Sequence, residues 1–119
     1  MKVIVAGSRG WTDYDTVRST LDIVTEGAKN LEVVSGTARG VDQMGERYAS
    51  ERGLPCTRFP AEWRRYGKRA GYLRNEQMAD YADTLVAFWD GKSPGTEHMI
   101  NLARSRNMTI TVVYSKGAG

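Results

Sequence analysis

One pattern limits what this chain can fold into more than any other. Three times, a short apolar run ends in a glycine-bearing turn and passes into a helix-like stretch. The clearest case is Leu85 to Trp89, an unbroken apolar run suited to a parallel strand covered on both faces. Asp90 to Gly95 follows, rich in Asp, Gly, Ser and Pro. Beyond it Met99, Ile100 and Ala103 share one helical side. In the same way Lys2 to Ala6 runs into Gly7-Ser8-Arg9-Gly10, and Glu32 to Val34 into Ser35-Gly36-Thr37-Ala38-Arg39-Gly40. In a parallel sheet the C-terminal ends of all strands lie on one edge. The three turns are therefore expected to meet at one crevice.

Taken in order, Lys2 to Ala6 reads as the first strand and Gly7 to Trp11 as its turn. Thr12 is expected to cap a helix, with Asp15 completing a capping box. Tyr14, Val17, Leu21 and Val24 form the inner face of that helix, and Gly27 ends it. Leu31 to Ser35 is the second strand. A second helix spans Val41 to Arg52, with Val41, Met44 and Tyr48 inward and Gly53 just past its end. Pro55 to Phe59 is a weak third strand, suited by its proline to a sheet edge. The basic, aromatic stretch Pro60 to Gly71 reads as a loop with one helical turn, placed as a lid. A helix over Tyr72 to Tyr81, a strand over Asp83 to Trp89, a helix over Gly95 to Asn107 and a strand over Met108 to Tyr114 complete the chain. Strands alternating with helices predict an α/β fold, a Rossmann-like three-layer α/β/α arrangement around a mainly parallel five-stranded sheet. The whole chain, 1–119, reads as one domain, with 115–119 as a flexible tail.

Composition narrows the function. A net charge of +3 suits anionic ligands without a histone-like excess. One cysteine excludes an internal disulfide, and with one histidine it leaves no ligand set for a metal; no cofactor is expected. The apolar run at the N-terminus is too short for a secretory signal, and no stretch approaches the ~18 apolar residues of a membrane span. A cytoplasmic protein with no membrane partner is expected.

The turns carry the candidate binding residues. At the first, Gly7 permits a tight bend, the Ser8 hydroxyl and backbone N–H groups meet a phosphate, and Arg9 neutralises it. At the second, Ser35, Gly36, Thr37, Arg39 and Gly40 exceed what a plain connector needs; Asp42 either bonds ribose hydroxyls or serves the helix N-terminus. At the third, Ser93-Pro94-Gly95-Thr96 reads as a helix start, with Pro94 where no N–H is needed. Gly91-Lys92-Ser93 is not a Walker A motif, because Val86 occupies the place of its first glycine. Arg74 and Asn75 open a helix beside the basic loop, Arg74 as a phosphate or carboxylate clamp. Asp90 adds a carboxylate at a strand end. Trp63, Tyr66 and Tyr72 suit stacking on a base, or packing of the lid. Together these residues predict a crevice for a phosphate-bearing small molecule, a nucleotide or its derivative.

The stretches Val5-Ala6-Gly7-Ser8-Arg9, Ser35 to Asp42, Gly71 to Asn75 and Phe88 to Thr96 resemble the SLOG superfamily, in particular its small YspA/YpsA-related members. The superfamily includes DprA and the Lonely Guy phosphoribohydrolases. The resemblance implies a Rossmann-like fold, a nucleotide-derived ligand at the C-terminal edge of the sheet, and a homodimer, which the Trp and Tyr content permits. In the Lonely Guy branch an R-K pair and a P-G-G-x-G-T-x-x-E segment cleave an N-glycosidic bond. Arg74 stands where that Arg would, and Gly95-Thr96 where the G-T would. Met99 occupies the position of the Glu. Glu97, two residues earlier, is rotated about 200° on an α-helix. Arg74 and Glu97 are thus the candidate catalytic pair. Three readings follow: a nucleotide-binding sensor or sequestering domain, an N-glycoside hydrolase acting on nucleoside monophosphates, and a binder of single-stranded nucleic acid, for which the basic stretch Arg58 to Arg74 interleaved with aromatics speaks.

Overall fold

The computed structural model describes residues 1–115; the expected tail beyond Ser115 lies outside the described residues. Five strands, β1 (Lys2–Gly7), β2 (Glu32–Ser35), β3 (Cys56–Arg58), β4 (Thr84–Trp89) and β5 (Thr109–Tyr114), form one sheet in the order β3-β2-β1-β4-β5. Every pairing is parallel. The helices are α1 (Tyr14–Val24), α2 (Val41–Arg52), α3 (Trp63–Tyr66), α4 (Ala70–Tyr81) and α5 (Pro94–Ser105), with a 3-10 turn at Gly67–Arg69. This is the Rossmann-like α/β fold that the alternation predicts. Among the described residues no helix is long and apolar enough to cross a membrane.

Strand alternation divides the core in two. Val3 and Val5 of β1, with Val33, Val86 and Phe88, pack against Val17 and Leu21 of α1 and Val41, Tyr48 and Ala49 of α2. Ile4 and Ala6, with Val34, Leu85 and Ala87, pack on the other face against Met78 and Ala79 of α4 and Met99, Ile100 and Ala103 of α5. Each fully buried Val, Leu, Ile, Phe or Met among these contributes about 1.5–3 kcal/mol. β4 is buried from Thr84 to Phe88, which is why it reads as an uninterrupted apolar run. β5 and β3 are edges. β5 is only half-buried along its middle, and β3 is a short strand following Pro55.

Two local expectations need correction. α1 is capped by Asp13, whose Oδ1 accepts the Thr16 N–H at 3.1 Å, and not by Thr12 with Asp15. Both residue types can cap, and the helix starts one residue later than the Thr12 reading requires. The Pro60–Gly71 stretch is more regular than a loop with one turn, since α3 and the 3-10 turn lead directly into α4 at Ala70. Met44 packs against the same core as Val41 and Tyr48, as its spacing predicts, and is half-buried there.

Candidate functional site

The chain runs outward from β1 to β3, then returns to the far side of β1 to lay down β4 and β5. The strand order reverses between β1 and β4, where connections diverge to opposite faces and a crevice opens at the C-terminal edge. Three turns meet there and are locked together. The Ser8 N–H donates to the Phe88 carbonyl at 3.0 Å, and the Ser8 hydroxyl accepts the Asp90 N–H at 3.1 Å and lies 3.2 Å from the Ser93 hydroxyl. A Cβ at Gly7 would lie 2.2 Å from the Phe88 carbonyl oxygen. Gly40 has φ +78, and a Cβ there would lie 2.6 Å from the carbonyl oxygens of Ser8 and Arg9. Only glycine satisfies both the left-handed backbone and this close approach.

Asp90 organises the third turn. Its Oδ1 accepts the N–H groups of Lys92 at 2.8 Å and Ser93 at 2.7 Å, and its Oδ2 accepts the Ser93 hydroxyl at 2.8 Å. These bonds, the Ser93 N–H foremost, hold its pKa down to about 2. Pro94 is the first residue of α5, and the first bond inside that helix runs from the Glu97 N–H to the Ser93 carbonyl at 3.2 Å. Gly95 and Thr96 line the crevice, and their N–H groups have no acceptor among the described residues.

The second turn works differently from expectation. Ser35 is fully buried. Its hydroxyl donates to Glu46 Oε2 at 2.7 Å and accepts the Thr37 N–H at 3.0 Å, so it shapes the turn from within and does not line the crevice. Thr37 sits at φ 65, an uncommon conformation for a β-branched residue that this bond helps to hold. Arg39 is exposed and lines neither cavity at this edge. Ala38 faces inward instead, donating its N–H to Asp42 Oδ2 at 3.1 Å. Asp42 is 6% exposed; burial pushes its pKa up to about 6 against the pull of the Ala38 N–H and the Arg74 charge.

α4 brings in Arg74 and Asn75. Arg74 donates from Nη1 to the Gly36 carbonyl and from Nε to Asn75 Oδ1 at 3.1 Å. Burial lowers its pKa, the Asp42 carboxylate acts against that, and Arg9 repels it more weakly. Asn75 is buried and satisfies both amide protons on α5, at the Gly95 carbonyl (3.2 Å) and His98 Nδ1 (3.1 Å). The amide nitrogen can only donate, so in this pairing His98 Nδ1 accepts and carries no proton; burial lowers the histidine pKa. His98 meets Tyr72 edge-on at 4.4 Å. Asn75 thereby fixes Arg74 and the α5 terminus relative to one another.

The resulting cavity has a volume of about 500 Å³. Gly7, Ser8, Arg9, Asp42, Arg74, Asn75, Asp90, Ser93, Gly95 and Thr96 all line it; Ser35, Gly36, Thr37, Arg39 and Gly40 do not, although Gly36 and Thr37 border a neighbouring cavity. Glu97 is exposed and outside it, while Met99 takes the inward position on α5. That is the outcome the helical rotation between them demands, so Glu97 is not a crevice residue. Trp63 and Tyr72 line the wall, 51% and 45% exposed, whereas Tyr66 does not. Ala38, Lys68, Met78 and Met99 also line the cavity but were not among the candidates; Lys68 belongs to the basic stretch, and the two methionines follow helical core spacing. Arg9, Lys68 and Arg74 have no carboxylate within ion-pairing distance among the described residues.

A family model described as "YAcAr: YspA, cpYpsA-related SLOG family" matches residues 1–66. The chain is 36% identical over 116 residues to the Gene 61 protein of Mycobacterium phage D29, covering 92% of this chain and 93% of that one. It is similar in fold to DNA processing protein A (DprA) from Streptococcus pneumoniae, with a TM-score of 0.75 at 19% identity. That likeness covers 98% of this chain and 51% of that one, so the chain spans about half of the solved protein's length.

Proposed function

This chain belongs to the YspA, cpYpsA-related SLOG family, and from that premise we propose that its crevice binds a nucleotide or nucleotide-derived phosphate ligand, as a sensor or sequestering domain. One observation carries the reading: interlocked turns from β1, β2 and β4 surround a cavity lined by two cations, Arg9 and Arg74, that face the single buried carboxylate Asp42 without a direct ion pair among the described residues. The free N–H groups of Gly95 and Thr96 at the positive end of α5 suit a phosphate, and Arg74 is pre-positioned by Asn75 to join them. Trp63 and Tyr72 offer faces for a base. A volume of about 500 Å³ lies within the range of small-ligand sites.

Calorimetry with a panel of mono-, di- and cyclic nucleotides tests this. Arg74→Ala is expected to weaken binding by about 1–3 kcal/mol, the scale of charge-assisted hydrogen bonds, and Arg39→Ala to leave it unchanged. No binding of any nucleotide at millimolar concentration refutes the proposal. Binding of single-stranded DNA in their place, falling steeply with salt, would transfer the ligand class to nucleic acid.

A second reading has its own support. Asp42 is a crevice carboxylate with a pKa near 6, suited to give a proton to a departing base in N-glycoside cleavage. With Glu97 outside the crevice, the acid role of the hydrolase reading passes to Asp42 and the clamp role stays with Arg74. Free base released from a nucleoside monophosphate by the wild type but not by Asp42→Asn supports cleavage. No free base from either leaves binding alone.

A further inference from the structure

The two edges of the sheet are built differently. β3 is three residues long, follows Pro55 and ends on the exposed Arg58, features that keep an edge from pairing further. β5 has no such guard. It runs for six residues, Thr109-Ile110-Thr111-Val112-Val113-Tyr114, with no proline and no charged side chain. The Thr109 N–H donates to the Asp83 carbonyl at 3.2 Å and the Ser115 N–H to the Trp89 carbonyl at 3.1 Å, so Thr109, Thr111, Val113 and Ser115 turn their peptide groups to β4. In a parallel ladder the residues between them point their N–H and C=O groups the other way. Those of Ile110, Val112 and Tyr114 therefore face outward, where no strand pairs with β5 among the described residues. The side chains of the same three residues share the α4–α5 face of the sheet. Ile110 and Val112 are half-buried against that core, and Tyr114 is 59% exposed beside Trp89.

The outward residues are spaced evenly about Val112, which makes this edge its own complement. A second β5 laid antiparallel about a twofold axis at Val112 sets the two Val112 residues opposite each other and each Ile110 opposite a Tyr114. Every such pair exchanges both of its N–H···O bonds, so each outward peptide group of the three residues gains a mate. Ile110 and Tyr114 then form a β-branched–aromatic pair, a combination favoured across strands, and no like charges meet because the strand carries none. We propose that β5 is a docking edge for a second copy of this chain, joining two five-stranded sheets into one of ten strands. The pairing is independent of what the crevice binds. Two six-residue strands make an interface at the small end of the stable range, about 1,200 Å² or less, so the dimer is expected at micromolar concentration.

Sedimentation equilibrium on the full chain from about 1 to 200 µM should show reversible exchange between monomer and dimer. Cross-linking tests the register, in a Cys56→Ser background that removes the free thiol. The Val112→Cys thiol meets its own copy at a Cα separation of about 5.5 Å and should oxidise to a covalent dimer. Tyr114→Cys, about 14 Å from its own copy, should not, yet should cross-link to Ile110→Cys when the two variants are mixed. Val112→Pro removes only an outward N–H, so the β4 ladder stays and monomer should persist throughout the range. Tyr114→Lys should weaken the dimer about tenfold or more. Circular dichroism confirms that each variant is folded. Monomer alone across the range overturns the proposal and leaves the edge to a strand of another protein. A dimer that Val112→Cys fails to lock, or that is unchanged in Tyr114→Lys, places the contact elsewhere and overturns it as well.

Discussion

Asp42 is 6% exposed, and its pKa is pushed from 3.8 to about 6, burial being the main cause and Glu46 acting in the same direction. The folded state therefore keeps a proton that the unfolded chain has already released. Below pH 4 both states are protonated and the residue is neutral in its effect. Between pH 4 and 6 the unfolded chain loses its proton first, so stability falls as pH rises. Above pH 6 the full cost remains, about 3 kcal/mol. Asp42→Asn removes the titration but keeps an oxygen for the Ala38 N–H. Relative to wild type, the variant is expected to gain about 2.5 kcal/mol of stability between pH 4 and pH 8. Urea unfolding of both proteins across that range measures the difference directly, because every other titrating group cancels. A difference that stays constant with pH, or that grows toward acid, would refute the claim that burial governs this carboxylate.

Asp90 behaves in the opposite sense. Its folded pKa of about 2 lies below the ordinary 3.8, so its contribution is present above pH 4 and is lost as pH falls through 2. Asp90→Ala leaves the N–H groups of Lys92 and Ser93 without their acceptor and should cost about 1–2 kcal/mol in a thermal melt at neutral pH, with the gap closing near pH 2. Gly40→Ala meets two carbonyl oxygens at 2.6 Å and should destabilise by more than about 2 kcal/mol. Gly53→Ala, at φ +64 with open space around it, should cost only about 1 kcal/mol, and equal losses for the two would show that crowding at Gly40 is relieved elsewhere.

Strand and helix order was legible because burial on both faces leaves a signature. β4 could only be an apolar run, and the helices showed their inner residues at helical spacing. The turns were legible as glycine-rich junctions, but the direction of their side chains was not. Arg39 and Arg74 look alike as arginines beside glycines. The fold exposes the first and clamps the second between the Gly36 carbonyl and Asn75. Ser35 looked like a phosphate ligand, yet its neighbour eleven residues on, Glu46, claims its hydroxyl. Such choices depend on contacts between segments far apart in sequence, and no local pattern encodes them. The displacement of Glu97 by Met99 was readable, because helical geometry alone decides which of the two turns inward.

The pairing of β1 with β4 joins Val3 to Thr84, and the central strand therefore waits for one of its two neighbours until most of the chain exists. The 1–66 segment matched by the family model contains β1, β2 and β3, α1 and α2 of one face, and the short α3. In a nascent chain of that length Ile4, Ala6 and Val34 would face water, because Met78, Leu85, Ala87, Met99 and Ile100 have yet to be synthesised. The crevice is thus assembled in two stages: its floor is made with β1, and its far wall arrives only once Arg74 to Thr96 have been added.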